Sequence, residues 1–338
     1  MRLDLVVGLV LMASLSIYTL LGGADYGGGV WDLLAFGPRA SQQREAISSA
    51  ITPVWETNHV WLILVIVLLF SAFPPAFAAI STALYIPLFI VMLGIICRGA
   101  SFTFRSFDIG KPHVQRYWGL LFSAASVVTP IFLGIIVGAI SNGRVVVIGG
   151  VSRNGYVRPW LAPFPIIVGV FALALFAYLA ATYLAVEALS VELQEDFRKR
   201  ALAAGSTAAI CALATFVLSN QEGPLVRAGL LLGTRSLVEQ LLTASISILA
   251  FWALCTRRYQ LARVAVAAQV CSILWGWALA QYPHLVQPAL TISNSASPPE
   301  VLRDLLLACS AGGIILFPSL LYLFRVFKIA PSPRSHEH

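Results

Sequence analysis

Long apolar runs separated by short polar connections dominate this chain. A run of about 20 apolar residues, rising 1.5 Å each as a helix, matches the roughly 30 Å hydrocarbon core of a bilayer. That pattern predicts nine spans, at 4–22, 52–73, 77–97, 117–141, 163–186, 201–219, 237–255, 261–281 and 304–326. The second and third come from one uncharged run, Val60 to Cys97, too long for a single crossing. Pro74-Pro75 divides it, because proline cannot continue a helix without losing a hydrogen bond. The seventh carries Glu239 and Gln240 near its start. Between spans, the glycine-rich residues 142–162 enclose Val145-Val146-Val147-Ile148 and read as a short surface hairpin. Residues 282–303 read as an exposed polar loop. Glu195 with Lys199 and Asp196 with Arg200 stand four apart, the spacing of a helix continuing into water.

Composition turns the pattern into a class. Of 338 residues, 59% are hydrophobic and only 11% charged, against about 25% charged in soluble domains. Lipid accepts the outward Leu, Ile, Val and Phe that water would not. The expectation is an all-α polytopic membrane protein of about nine transmembrane helices, with residues 1–338 as a single integral membrane domain. A net charge of +7 would suggest nucleic acid for a soluble chain. Here the basic residues lie between apolar runs, so they set topology and imply no nucleic-acid partner. One side carries Arg2, Arg144, Arg153, Arg158, Arg227, Arg235 and Arg303; the other carries the remaining 15 of the 22 Lys and Arg. The bias puts the N-terminus outside and the C-terminus in the cytoplasm. The opening run has no Ala-x-Ala cleavage site and reads as a retained first span. Cys97, Cys211, Cys255, Cys271 and Cys309 stand singly, without metal-ligand spacing, and read as small packing residues.

Three segments place ionisable groups near or within spans, where each costs roughly 2.5–3.5 kcal/mol at a helix centre. Asp25 lies among Gly22-Gly23 and Gly27-Gly28-Gly29, just past the first predicted span. The glycines would permit a sharp turn or a close approach to another helix. Glu56 and His59 lie three apart at the start of the second span and share a helix face. Glu56 would sit about 5–8 Å inside, where a carboxyl can hold a proton near neutral pH. Asn58 could orient it; Trp55 and Trp61 read as interface anchors. A structural Glu–His pair is the alternative, and one Glu with one His is too small a set for a metal. Arg98 and Arg105 leave the third span and could pair with Asp25, Glu56 or lipid phosphate, or simply anchor the chain on the basic side. Glu187 and Glu239 read as interfacial, and His113 and His284 as loop residues. No CxxCH motif occurs and no histidine is central in a span, so the chain offers no evident axial ligands for a haem of its own.

At these segments the sequence resembles subunit II of the cytochrome bd-type quinol oxidases. The resemblance rests on Gly23-Ala24-Asp25-Tyr26-Gly27-Gly28-Gly29, on Pro53-Val54-Trp55-Glu56-Thr57-Asn58-His59-Val60-Trp61-Leu62, on Phe73-Pro74-Pro75-Ala76-Phe77-Ala78, and on Arg98-Gly99 with Phe102-Thr103-Phe104-Arg105. It implies two four-helix bundles plus one peripheral helix, in the bacterial cytoplasmic membrane. It implies a heterodimer with a similar subunit I that carries two b-type haems, haem d and the quinol site. The complex would oxidise quinol, reduce oxygen to water and build a proton gradient. Subunit II would support cytoplasmic proton uptake, with Glu56 and Asp25 as the carboxylates concerned. A small accessory subunit and a structural quinone or lipid stay open. Many members carry a carboxylate where this chain has Thr103, which puts any relay through that position in doubt. A secondary transporter and a purely structural subunit are the competing readings.

Overall fold

The computed structural model describes residues 2–51, 55–107, 112–232 and 234–324; the side chains of 51, 55–57, 105–107, 112, 113, 115, 116, 234, 235, 323 and 324 lie outside the description. The chain runs α1 (Leu3–Leu33), α2 (Ala40–Ile51), α3 (Trp55–Ala72), α4 (Pro74–Ala83), α5 (Tyr85–Phe107) and α6 (Pro112–Ser141). A hairpin of β1 (Val147–Ile148) and β2 (Val151–Ser152) leads into α7 (Pro163–Glu187), α8 (Val191–Glu222), α9 (Pro224–Leu231), α10 (Thr234–Cys255) and α11 (Tyr259–Gln281). A second small pair, β3 (His284–Val286) and β4 (Leu290–Thr291), precedes α12 (Ile292–Ser295) and α13 (Pro299–Phe324). Proline opens α4, α7 and α9, where its missing N–H costs nothing and its φ is already helical.

Among the described residues, eight helices are long and apolar enough to cross a membrane, and the bent pair α3–α4 brings the number to as many as nine. Eighteen residues give α3 a length of about 27 Å. It therefore runs from the α2 end of the bundle to the hairpin end. There Ser297 donates to the backbone carbonyls of Ser71 and Ala72 at 2.7 and 2.8 Å. α1, α3, α5 and α6 form one four-helix group, and α7, α8, α10 and α11 a second. α13 touches mainly α1 and α3 and stays peripheral, its apolar stretch only partly covered. The largest core cluster joins the two groups through Tyr26, Trp31, Phe176, Tyr178, Leu179 and Phe197.

Glycine sets how closely the groups approach. Gly134 and Gly138 on α6 press onto Pro165, Val168 and Gly169 of α7, the spacing that lets membrane helices pack backbone to backbone. On α1, a Cβ at Gly27 would overlap the Phe176 carbonyl oxygen of α7.

The structure departs from the sequence expectation in four places. α1 does not end near residue 22; it continues to Leu33, because the glycines meet α7 instead of turning. The helix expected at 77–97 is displaced. Pro74-Pro75 starts the short α4, bent 115° from α3, and the crossing helix is α5. The polar stretch 282–303 is packed, with Val286, Gln287 and Ser295 buried. On α8, Glu195 pairs with Arg198 at 2.6 Å, and Asp196 pairs with Arg39 at 2.7 Å, so neither uses its i+4 neighbour.

Candidate functional site

Asp25 lies about 12 Å inside the end of α1, eight residues before Leu33. Tyr18, Gly22, Asp25, Tyr26 and Gly29 recur at three- and four-residue steps and so share the face of α1 that meets α5 and α6. Opposite them stands Arg98, past the middle of α5. Its guanidinium makes a two-pronged bond to the Asp25 carboxylate, at 2.6 Å to Oδ2 and 2.7 Å to Oδ1. It also donates to the Asp25 carbonyl at 3.0 Å and to Ser126 Oγ of α6 at 2.9 Å. The rings of Tyr26 and Phe122 lie 4.7 and 4.8 Å from its central carbon. Gly29 leaves the room that Ser126 and Phe122 occupy. Arg98 is 2% and Asp25 6% exposed. A buried pair survives only with good geometry and full hydrogen bonding, and this one has both.

Asn58 of α3 is buried and His59 half-buried. The His59 ring stands 6.5 Å from that of Tyr18, whose hydroxyl is 3.5 Å from the Tyr26 hydroxyl. Among the described residues, His59 Nδ1 is buried without a hydrogen-bond partner. Glu56 falls in the first turn of α3, and its side chain, like that of Arg105, is outside the described residues. A cavity of about 80 Å³ lies beside this group. Asp25, Asn58, Ala50, Tyr183 and Glu187 are among the residues that line it. Asp25, Arg98, Asn58 and His59 are thus brought to one region. Thr103, on the same helix as Arg98, is exposed and donates to the Gly99 carbonyl at 3.0 Å.

Sequence reasoning passed over Ser126, Tyr18 and Tyr26, although the helical spacing from Tyr18 to Gly29 would have placed the two tyrosines. It also passed over Asp32, 6% exposed and accepting from Ser123 Oγ at 3.2 Å. Glu187 was read as interfacial; it is exposed, yet lines the Asp25 cavity. Glu239 is half-buried between α10 and α11 and accepts from Ser272 Oγ at 2.7 Å.

Among the described residues, no three His, Cys, Asp or Glu side chains are grouped to hold a metal ion. The two histidines whose side chains are described, His59 on α3 and His284 on β3, lie at opposite ends of the bundle and do not fit as facing axial ligands of a haem.

The family described as cytochrome bd terminal oxidase subunit II matches residues 3–327. A Bacillus subtilis (strain 168) protein provisionally named cytochrome bd menaquinol oxidase subunit II is 21% identical, over 92% of this chain and 91% of its own length. The cytochrome bd-I ubiquinol oxidase subunit 2 of Escherichia coli (strain K12) is 27% identical, over 64% of this chain and 55% of its own. The solved bd oxidase of Geobacillus thermodenitrificans has a chain of the same fold, with a TM-score of 0.82 at 21% identity, covering 98% of this chain and all of that one. The chain belongs to the cytochrome bd terminal oxidase subunit II family, and is one subunit of a bacterial membrane oxidoreductase.

Proposed function

We propose that this chain, as one membrane-embedded unit, supports a haem-bearing subunit I in a quinol:oxygen oxidoreductase and helps deliver protons to it from the cytoplasm. Two b-type haems and haem d belong to that partner, which supplies the redox chemistry. The charge bias, seven basic residues against 15, supports a cytoplasmic α2 end and an outer hairpin end. The exposed apolar faces of α10 and α13 suit lipid or the partner subunit.

One observation carries the reading. A buried polar cluster, Asp25, Arg98 and Asn58, lies against a cavity at the α2 end of the bundle. Within that cluster the roles divide. Asp25 spends both carboxylate oxygens on Arg98, which favours holding the guanidinium over carrying a proton. Glu56, with Asn58 and His59 on the same helix, is the better proton carrier. Glu56→Gln should leave the complex assembled and lower quinol-dependent oxygen consumption by on the order of 10²-fold. Unchanged turnover in an intact complex would remove Glu56 from the path. Asp25→Asn should instead lower the yield of assembled complex.

A further inference from the structure

The slot beside Asp25 is built by two matched helix faces. α7 contributes Ala180, Tyr183, Leu184 and Glu187, and α1 contributes Leu21, Ala24, Asp25 and Gly28. Both sets follow the i, i+3, i+4, i+7 pattern of a single face. Ala50 of α2 and Asn58 of α3 complete the lining. Small residues at Ala24, Gly28, Ala50 and Ala180 keep the space between the two faces open. Its volume, about 80 Å³, is room for a few waters. The inner end is buried and polar, with Asp25 6% and Asn58 2% exposed. The outer end is Glu187, exposed at the last turn of α7.

We infer that Glu187 is the proton-collecting residue at the mouth of this slot, the point where protons leave water for the interior. The inference rests on the uptake role proposed above. The carboxylate takes H⁺ from the aqueous phase, hands it to water in the slot and returns to its charged form; no electrons move. An acid at the exposed end of the face is what such a step needs, since it exchanges protons with bulk while lining the same slot as the buried groups. Among the described residues, the titratable side chains that line the slot are Asp25, Tyr183 and Glu187. Arg98 of α5 holds Asp25, and Arg263 of α11 lies over the Tyr183 ring at 5.1 Å. Among the described side chains, α2 and α3 contribute Ala50 and Asn58, neither titratable; Glu56 of α3 stands two residues before Asn58.

The test is quinol-dependent oxygen consumption against pH, in the whole haem-loaded complex, for Glu187→Gln, Glu187→Asp, Ala50→Leu and Glu56→Gln. Glu187→Gln should keep the wild-type haem spectrum and lose turnover several-fold, more as pH rises and protons become scarce. Glu187→Asp should restore most of it. Ala50→Leu narrows the slot without touching a charge and should show the same alkaline loss. A wild-type profile for Glu187→Gln beside a slowed Glu56→Gln would place the mouth elsewhere and overturn the inference. Wild-type profiles for both would overturn the uptake role as well. Should Glu187→Gln fail to assemble, Ala50→Leu decides: an alkaline loss supports the slot and a flat profile rejects it.

Discussion

Arg98 meets what an ion needs to live inside a bilayer: a carboxylate gripped at two points, a hydroxyl on its third nitrogen, and aromatic rings around it. Removing one partner strands the other. Asp25→Leu or Arg98→Met alone should cost about 3–5 kcal/mol and deplete the assembled complex, while the double variant recovers much of the yield. Yield and thermal unfolding of purified complex measure this; a double variant worse than either single one would contradict it. The pairing of Arg98 with Asp25 was legible as one option, because two opposite charges near span ends seek each other. Ser126 and Glu187 were not, because a lone serine and an acid at a helix end have no local pattern that distinguishes site from surface.

α1 exceeds the expected span because its glycines permit either a sharp turn or a close approach to another helix, and against α7 they take the second. Gly27→Leu should drive α1 from the Phe176 backbone, cost about 1–3 kcal/mol or more, and reduce assembly. α3 and α4 form a broken pair, yet the break lies at the hairpin end and not at the midplane where a transporter would bind substrate. α8 is about 48 Å long, so its first turns stand beyond the apolar core and carry Asp196 into water. Arg39 grips Asp196 with two bonds, Gln43 adds a third, and α2 is thereby tied to α8. Hydrogen bonding from Arg39 holds the Asp196 carboxyl below its usual range. A depressed carboxyl stabilises the fold above its unfolded value and loses that contribution as pH falls through its folded one. Amide exchange in α2, relative to its intrinsic rate at each pH, should therefore be flat from neutral pH down to the ordinary carboxylate range and rise below it. Asp196→Asn should raise it at neutral pH; no change there would show that α2 is held by packing alone.

At the scale of the molecule, apolar runs of bilayer length made the helices and their alternation legible. Their partners were harder to read. The α6–α7 contact sets Gly134 against Gly169, and the α1–α7 contact sets Gly23 and Gly27 against Phe176, about 150 residues away in the chain. The packing of 282–303 depends on a polar segment finding the ends of α3 and α6, where Gln287 donates its backbone N–H to the Ile140 carbonyl at 2.9 Å. With α3 counted as a crossing, the number is odd, so Arg2 and the end of α13 face opposite sides and the Asp25 slot opens on the side that holds α2 and the wet turns of α8. That arrangement suits a subunit that supports redox chemistry carried out next door. The most direct test is the visible spectrum of complex purified through a tag on this chain. Haem d and haem b absorbance copurifying with it is the expected result. A colourless chain, folded but without a haem-bearing partner, would contradict the account.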